Sequence, residues 1–194
     1  HIYSSYFYDN GTHGVYIYDS DDNNLSWAIA YQNAAHGIFL QNANNITIDK
    51  SMTFGNNSRG LHIYQSFANT ISNLQTFSNV VEWLYIDAST GNIVHNVMTY
   101  NNGGAGIGLY DNANYNTINN VTSFSQQYGI ALQWWSNNII GNVFNTINII
   151  NNVRWIYIDA GATSVDNVFN DISTIHNNTA VSIVWGTNSN LFYG

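Results

Sequence analysis

Two aspartates, Asp87 and Asp111, have the residue types and spacing for acid–base chemistry. They close, or directly follow, two similar tracts, Trp83-Leu84-Tyr85-Ile86-Asp87 and Gly106-Ile107-Gly108-Leu109-Tyr110. Cleavage of a glycosidic bond uses two flanking carboxyl groups, about 5 Å apart in retaining enzymes and about 6.5–9.5 Å in inverting ones. If the tracts are neighbouring strands, the ordinary strand spacing puts these carboxyls ~5–8 Å apart. Asp159 closes a third tract, Trp155-Ile156-Tyr157-Ile158-Asp159, in the column of Asp87 but three tracts on. The same spacing places it ~14 Å away, too far to pair with Asp87 but able to hold a neighbouring sugar. Arg154 precedes that tract, and with Asp159 it offers the base and cation that a lyase acting on a uronate would need. Arg59 and Glu82 occupy the equivalent place before their own tracts.

The elements that must position these groups are legible as a repeat. Related tracts begin at residues 14, 37, 60, 83, 106, 129, 155 and 181, giving five steps of 23 and then two of 26. Within them Val15/Ile17, Ile38/Leu40, Leu61/Ile63, Leu84/Ile86, Ile107/Leu109, Ile130/Leu132 and Ile156/Ile158 alternate with other residues. Period two predicts strands with one buried face. Gly heads most tracts, which suits a bend with positive φ. Three further columns run at the same spacing: Ile2 to Val94, Tyr8 to Tyr100, and Asn10 to Asn102. They predict a core column, an internal aromatic stack and a ladder of side-chain amides at a turn. A repeat of this length with no helical periodicity predicts an all-β parallel solenoid of about 8 coils, each of 23–26 residues. The coils from 129 and 155 carry about three extra residues each, and share Asn142-Val143-Phe144-Asn145 and Asn167-Val168-Phe169-Asn170. Their loop would wall one side of a groove.

The alternate positions face outward. One column reads Tyr16, Phe39, His62, Tyr85, Gly108, Ala131, Tyr157, Ile183, and the next Tyr18, Gln41, Tyr64, Asp87, Tyr110, Gln133, Asp159, Trp185. Aromatic faces with polar tips suit sugar rings, which stack through their CH faces and offer hydroxyls to carboxylates and amides. The expected glycan contacts are His62, Tyr64, Trp83, Tyr85, Tyr110, Trp134, Trp155 and Tyr157. Gly108 and Ala131 would form the floor of a shallow cleft walled by Trp83, Tyr85, Trp155 and Tyr157.

Composition excludes other classes. Only 7% of residues are charged and the net charge is −8, against roughly 25% charged in ordinary domains. The three basic residues, Lys50, Arg59 and Arg154, cannot form the basic stripe that tracks nucleic-acid phosphates. No apolar run approaches the ~20 residues of a membrane-spanning helix. There is no cysteine. The Asn-rich, Lys-poor surface points to an extracellular or cell-surface setting. Asp19, Asp21 and Asp22 supply hard oxygen ligands of the kind Ca²⁺ takes, but without the Gly-spaced loop of calcium motifs, so a solvated turn is the favoured reading; no other metal or cofactor is expected. His13 and His36 stack one repeat apart without an evident third ligand.

Residues 1–194 read as one domain. The chain opens within a coil and ends within another, which suggests either a piece of a longer chain or a subunit whose copies associate end to end.

The pattern Gly-Ile-x-Leu followed by Asn-Asn-x-Ile-x-Asn-Val is carried by Gly106-Ile107-Gly108-Leu109 with Asn116-Thr117-Ile118-Asn119-Asn120-Val121, and again from Gly129 to Val143. It resembles the right-handed parallel β-helix repeat family of surface and carbohydrate-active proteins, over essentially the whole chain. The resemblance implies a right-handed, single-stranded β-helix. It also implies a polysaccharide or surface glycan as partner, held on an outer strand face and cleaved by a hydrolase or lyase, or else a structural surface role without catalysis. No lyase or hydrolase signature transfers catalytic residues to it.

Overall fold

The computed structural model describes residues 1–133, 138–159, 164–176, 178–184 and 187–193. The chain winds as a parallel β-solenoid. The tracts form an eight-stranded parallel sheet that runs from Val15–Tyr18 through Leu84–Asp87 and Ala105–Tyr110 to Thr179–Val184. A thirteen-stranded sheet forms the other two sides of each coil. Early in the chain these sides are separate short strands such as Asn24–Ser26 and Ile29–Tyr31, and from Ile93–Tyr100 onward they are continuous. Short parallel strands, Ile139–Ile140, Ser164–Val165 and Thr187–Asn188, continue the corner that Phe67, Thr90 and Asn114 form through isolated bridges in the earlier coils.

Burial follows the alternation. Ile38, Leu40, Leu61, Ile63, Leu84, Ile86, Ile107 and Leu109 are fully buried, as are Leu25, Ile48, Ile71, Val94 and Ile118 from the opposite wall. Each buried aliphatic side chain contributes about 1.5–3 kcal/mol. On the opposite wall Val94 pairs with Ile118, 24 residues on, so one residue is added between those two coils. The last step is 25 rather than 26, because Ile156 pairs with Val181. Tyr157 therefore registers with Ser182 rather than Ile183, and Asp159 with Val184 rather than Trp185, which lies outside the described residues.

Corners are made by left-handed residues in columns, for example Asp19, Asn42, Gln65 and Ala88, and Trp27, Lys50, Asn73, Asn96 and Asn120. Such residues cost roughly 1–2 kcal/mol each. Buried amides offset that cost. Asn10, Asn33, Asn56 and Asn79 each donate Nδ2–H to Oδ1 of the next asparagine, ending on Asn102, at 2.8–3.0 Å. A second ladder, not anticipated from sequence, runs from Asn69 through Asn92, Asn116, Asn142 and Asn167 to Asn190.

Two expectations need correction. The glycines at the heads of tracts are not at positive φ. They are there for space: a Cβ on Gly37 would lie 2.8 Å from both Asn56 Nδ2 and the Gly60 carbonyl oxygen. The aromatic column from Tyr8 through Tyr31, Phe54, Phe77 and Tyr100 to Phe124 does stack, with centroids 4.8–5.1 Å apart, but on the outside of the solenoid, and Tyr8 is 52% exposed.

Candidate functional site

The outer face of the eight-stranded sheet gathers one dense cluster, on the coils that contain Arg59, Tyr85 and Tyr110. The Arg59 guanidinium lies over the Tyr85 ring, its Cζ 3.7 Å from the centroid. Its Nε donates to Glu82 Oε2 at 3.1 Å. Tyr110 stacks on Tyr85 at 4.1 Å, and its hydroxyl donates to Glu82 Oε1 at 3.4 Å. Arg59 and Glu82 precede adjacent strands, so the pleat brings opposite charges one repeat apart into contact. The sequence carries this signal as opposite charges at positions 59 and 82, one repeat apart.

Asp87 ends its strand in the same cluster and is half-buried. Its carboxyl is pushed up to about 6, first by burial and then by the Asp111 charge, with Arg59 pulling the other way. Asp111 lies on the next coil at a left-handed corner, its carbonyl accepting from the Ala88 N–H at 2.7 Å. It therefore stands beside Ala88, one place past Asp87, and is near enough for the two carboxyls to interact. Burial also holds the Tyr85 and Tyr110 hydroxyls well above the usual phenol range.

Histidines border this cluster. His62 is buried, stacks on Phe39 at 4.6 Å and meets Tyr85 edge-on at 4.9 Å. Its Nδ1 lies 3.3 Å from Nε2 of His36, whose Nδ1 accepts from the Arg59 backbone N–H. That acceptor role requires His36 to carry its proton on Nε2, so His36 donates to His62. Burial and Arg59 hold both imidazoles neutral, lowering His36 to about 3 and His62 to about 2. Tyr64 pairs in register with Asp87 and leaves its ring 6.0 Å from His62.

The cleft expected over Gly108 is not formed. The Tyr110 ring folds onto Gly108, so that a Cβ there would lie 2.5 Å from Tyr110 Cε2. Tyr110 is only 6% exposed, and Ala131 is fully buried. Trp83, expected as a wall of the cleft, is instead a fully buried core residue. It replaces the glycine of other coils, and hydrophobic burial takes its indole inward. Trp155 is also turned against the core, its Nε1 buried without a hydrogen-bond partner. Trp134 lies outside the described residues.

Arg154, Tyr157 and Asp159 form a separate group three coils away. Arg154 lies over the Tyr157 and Tyr128 rings, at 5.1 and 5.7 Å, and Tyr157 donates its hydroxyl proton to Asp159 at 2.8 Å. Asp159 and Arg154 are thus not brought to Asp87. The carboxylates of Asp19, Asp21 and Asp22 accept from Asn42, Asn44 and Asn45 of the next coil at 2.6–3.0 Å. Among the described residues no three acidic or imidazole groups converge as a metal site.

Fold and site together define a parallel β-helix whose exposed strand face carries an acidic, aromatic cluster. The chain belongs to the family described as the right handed beta helix region, whose profile matches residues 1–144. No curated protein matches the sequence. Among solved structures, it is similar to the A-module of mannuronan C-5 epimerase AlgE4 from Azotobacter vinelandii, with a TM-score of 0.85 at 15% identity over 97% of this chain and 57% of that one. It is also similar to the periplasmic alginate epimerase AlgG (TM-score 0.65, 18% identity, 89% of this chain and 47% of that one). The pectate lyase Pel9A is a third (TM-score 0.69, 13% identity, 95% and 51%). The chain thus spans about half the length of these structures, and the likeness at such identity is one of fold.

Proposed function

We propose that this β-helix binds a polysaccharide outside the cytoplasm, along the outer face of its eight-stranded sheet, and cleaves it at Asp87. The observation that carries this reading is the placement of Asp87 and Asp111 as electrostatic neighbours beside the Tyr85, Tyr110 and Arg59 stack. A carboxyl whose pKa is raised toward neutrality beside a second carboxylate is the arrangement that acid–base cleavage of a glycosidic bond uses. In this reading Asp87 gives its proton to the bridging oxygen. Water adds to the anomeric carbon, and Asp111 takes the proton that water loses. Tyr64 and the exposed rings of Tyr16 and Tyr18 extend the surface along which sugars lie. The alginate- and pectate-acting enzymes named among the similar structures support a polysaccharide as the ligand class.

The test is incubation with alginate, polygalacturonate and neutral glucans, with assays for new reducing ends and for unsaturated products. Reducing ends without unsaturation, lost in Asp87→Asn, are expected. Unsaturated products would replace hydrolysis with elimination. Unchanged polymers throughout would refute cleavage.

A further inference from the structure

A second concave surface lies on a different side of the solenoid, at the elbow where the thirteen-stranded sheet bends. Two adjoining hollows of about 350 and 370 Å³ share Asn73 and Gln75 and run along the solenoid axis from Trp27 to Asn120. One wall is the column of left-handed residues, Trp27, Lys50, Asn73, Asn96 and Asn120.

Trp27 is out of place by local rules. The left-handed region suits asparagine, as at the three later positions, and is unfavourable for a bulky aromatic. Yet Trp27 sits at φ 59° and is 49% exposed, so the fold gains little burial in return. A local rule broken at an exposed position points to a role other than folding. Lys50 stands over this ring, Nζ 5.3 Å from the centroid, and is paired with Asp49 at 3.7 Å.

The amides beyond it all point one way. Asn120 donates to Asn96 at 2.8 Å, Asn96 to Asn73 at 3.4 Å, and Asn73 to Asp49 at 2.7 Å. Asn73 and Asn96 each use one N–H and one carbonyl lone pair in this chain, which leaves one donor and one acceptor apiece. These are repeated once per coil, a rise close to the length of one pyranose in an extended β-linked chain.

We infer that this elbow is a second polysaccharide-binding groove, which takes an uncharged, hydroxyl-rich glycan lying parallel to the solenoid axis. Trp27 stacks on one sugar, and the free N–H and carbonyl groups of Asn73 and Asn96 engage hydroxyls of those that follow. The ligand is uncharged because Asp49 already answers Lys50 and the rest of the lining is neutral. The inference is independent of cleavage at the outer face.

The test is electrophoresis through native gels containing hydroxyethylcellulose, galactomannan or alginate. The wild type is expected to be retarded by at least one of the two neutral polymers. Trp27→Asn, which suits the left-handed corner and keeps the fold, is expected to weaken retention at least tenfold. Lys50→Gln with Asn96→Ala serves as a second variant with the same expectation, each melting temperature being checked. Retention of folded Trp27→Asn equal to wild type, retardation by alginate alone, or no retardation by either neutral polymer would overturn the inference.

Discussion

Arg59 lies over the Tyr85 ring, with its Cζ 3.7 Å from the ring centroid, and its Nε is held there by Glu82 at 3.1 Å. One cation thus joins an aromatic ring, a carboxylate and, through its field, Asp87. The Arg59 and Glu82 side chains are 23% and 14% exposed, so the pair is worth more than a surface ion pair but less than a fully buried one.

Replacing Arg59 by Met keeps the stem and removes the charge. The expected loss is about 1–3 kcal/mol of stability, from the uncompensated Glu82 and the lost cation–π contact. Because Arg59 lowers the Asp87 pKa, the same variant should shift Asp87 upward. Urea denaturation and NMR titration of the Asp87 side chain check the two effects separately.

Asp87 carries its own pH signature. Its pKa in the fold, about 6, lies above the 3.8 of an unperturbed aspartate. The native state therefore binds the extra proton, and stability falls as pH rises from about 4 to about 6. Allowing for solvent screening of a half-exposed group, the penalty at neutral pH is about 1–2 kcal/mol. Asp87→Asn should remove it, raising the melting temperature at pH 7 but not at pH 4 while abolishing polymer cleavage. The wild-type rate should decline above pH 6 as the acid form is lost.

Acid acts oppositely through the buried imidazoles. His36 and His62 fall to about 3 and about 2, far below the unfolded 6.5, so the unfolded chain takes up protons first. Their contribution is complete above pH 6.5 and is lost as pH falls toward 3. Substituting His36→Gln should flatten this acid limb, as read by melting temperature from pH 7 to pH 4. An unchanged limb would contradict the assigned burial.

Gly108→Ala probes the packing that replaced the expected cleft. The new Cβ meets the Tyr110 ring at 2.5 Å, so the ring must swing off Tyr85. Glycan binding and cleavage should fall at least tenfold, with a stability loss of about 1–3 kcal/mol. Adding Tyr110→Ala should restore most of the stability but not the binding, as measured by calorimetry and affinity electrophoresis.

Asn56→Ala tests the interior ladder. Asn56 accepts from the backbone and side chain of Asn33, and donates to Asn79 and to the Ala30 carbonyl. Removing it leaves several buried polar groups unpaired, at about 1–3 kcal/mol for each that finds no water. A loss below 1 kcal/mol in urea denaturation would contradict a structural role.

The sequence by itself determined the solenoid. Side chains alternate strictly along a strand, so Ile107 and Leu109 had to share the inside with Leu84 and Ile86. A constant step of 23 residues placed Asn33 beside Asn56 without any coordinate. The same step sets Arg59 against Glu82, opposite charges before neighbouring strands. The tertiary structure decided what alternation does not constrain. Trp83 precedes its strand, so its direction followed the room in the core. Tyr110 had two faces to choose from and took the space over Gly108, because stacking on Tyr85 buries both rings. Asp87 became a titratable acid through the burial supplied by its neighbours, a property of packing that spacing along the chain does not encode.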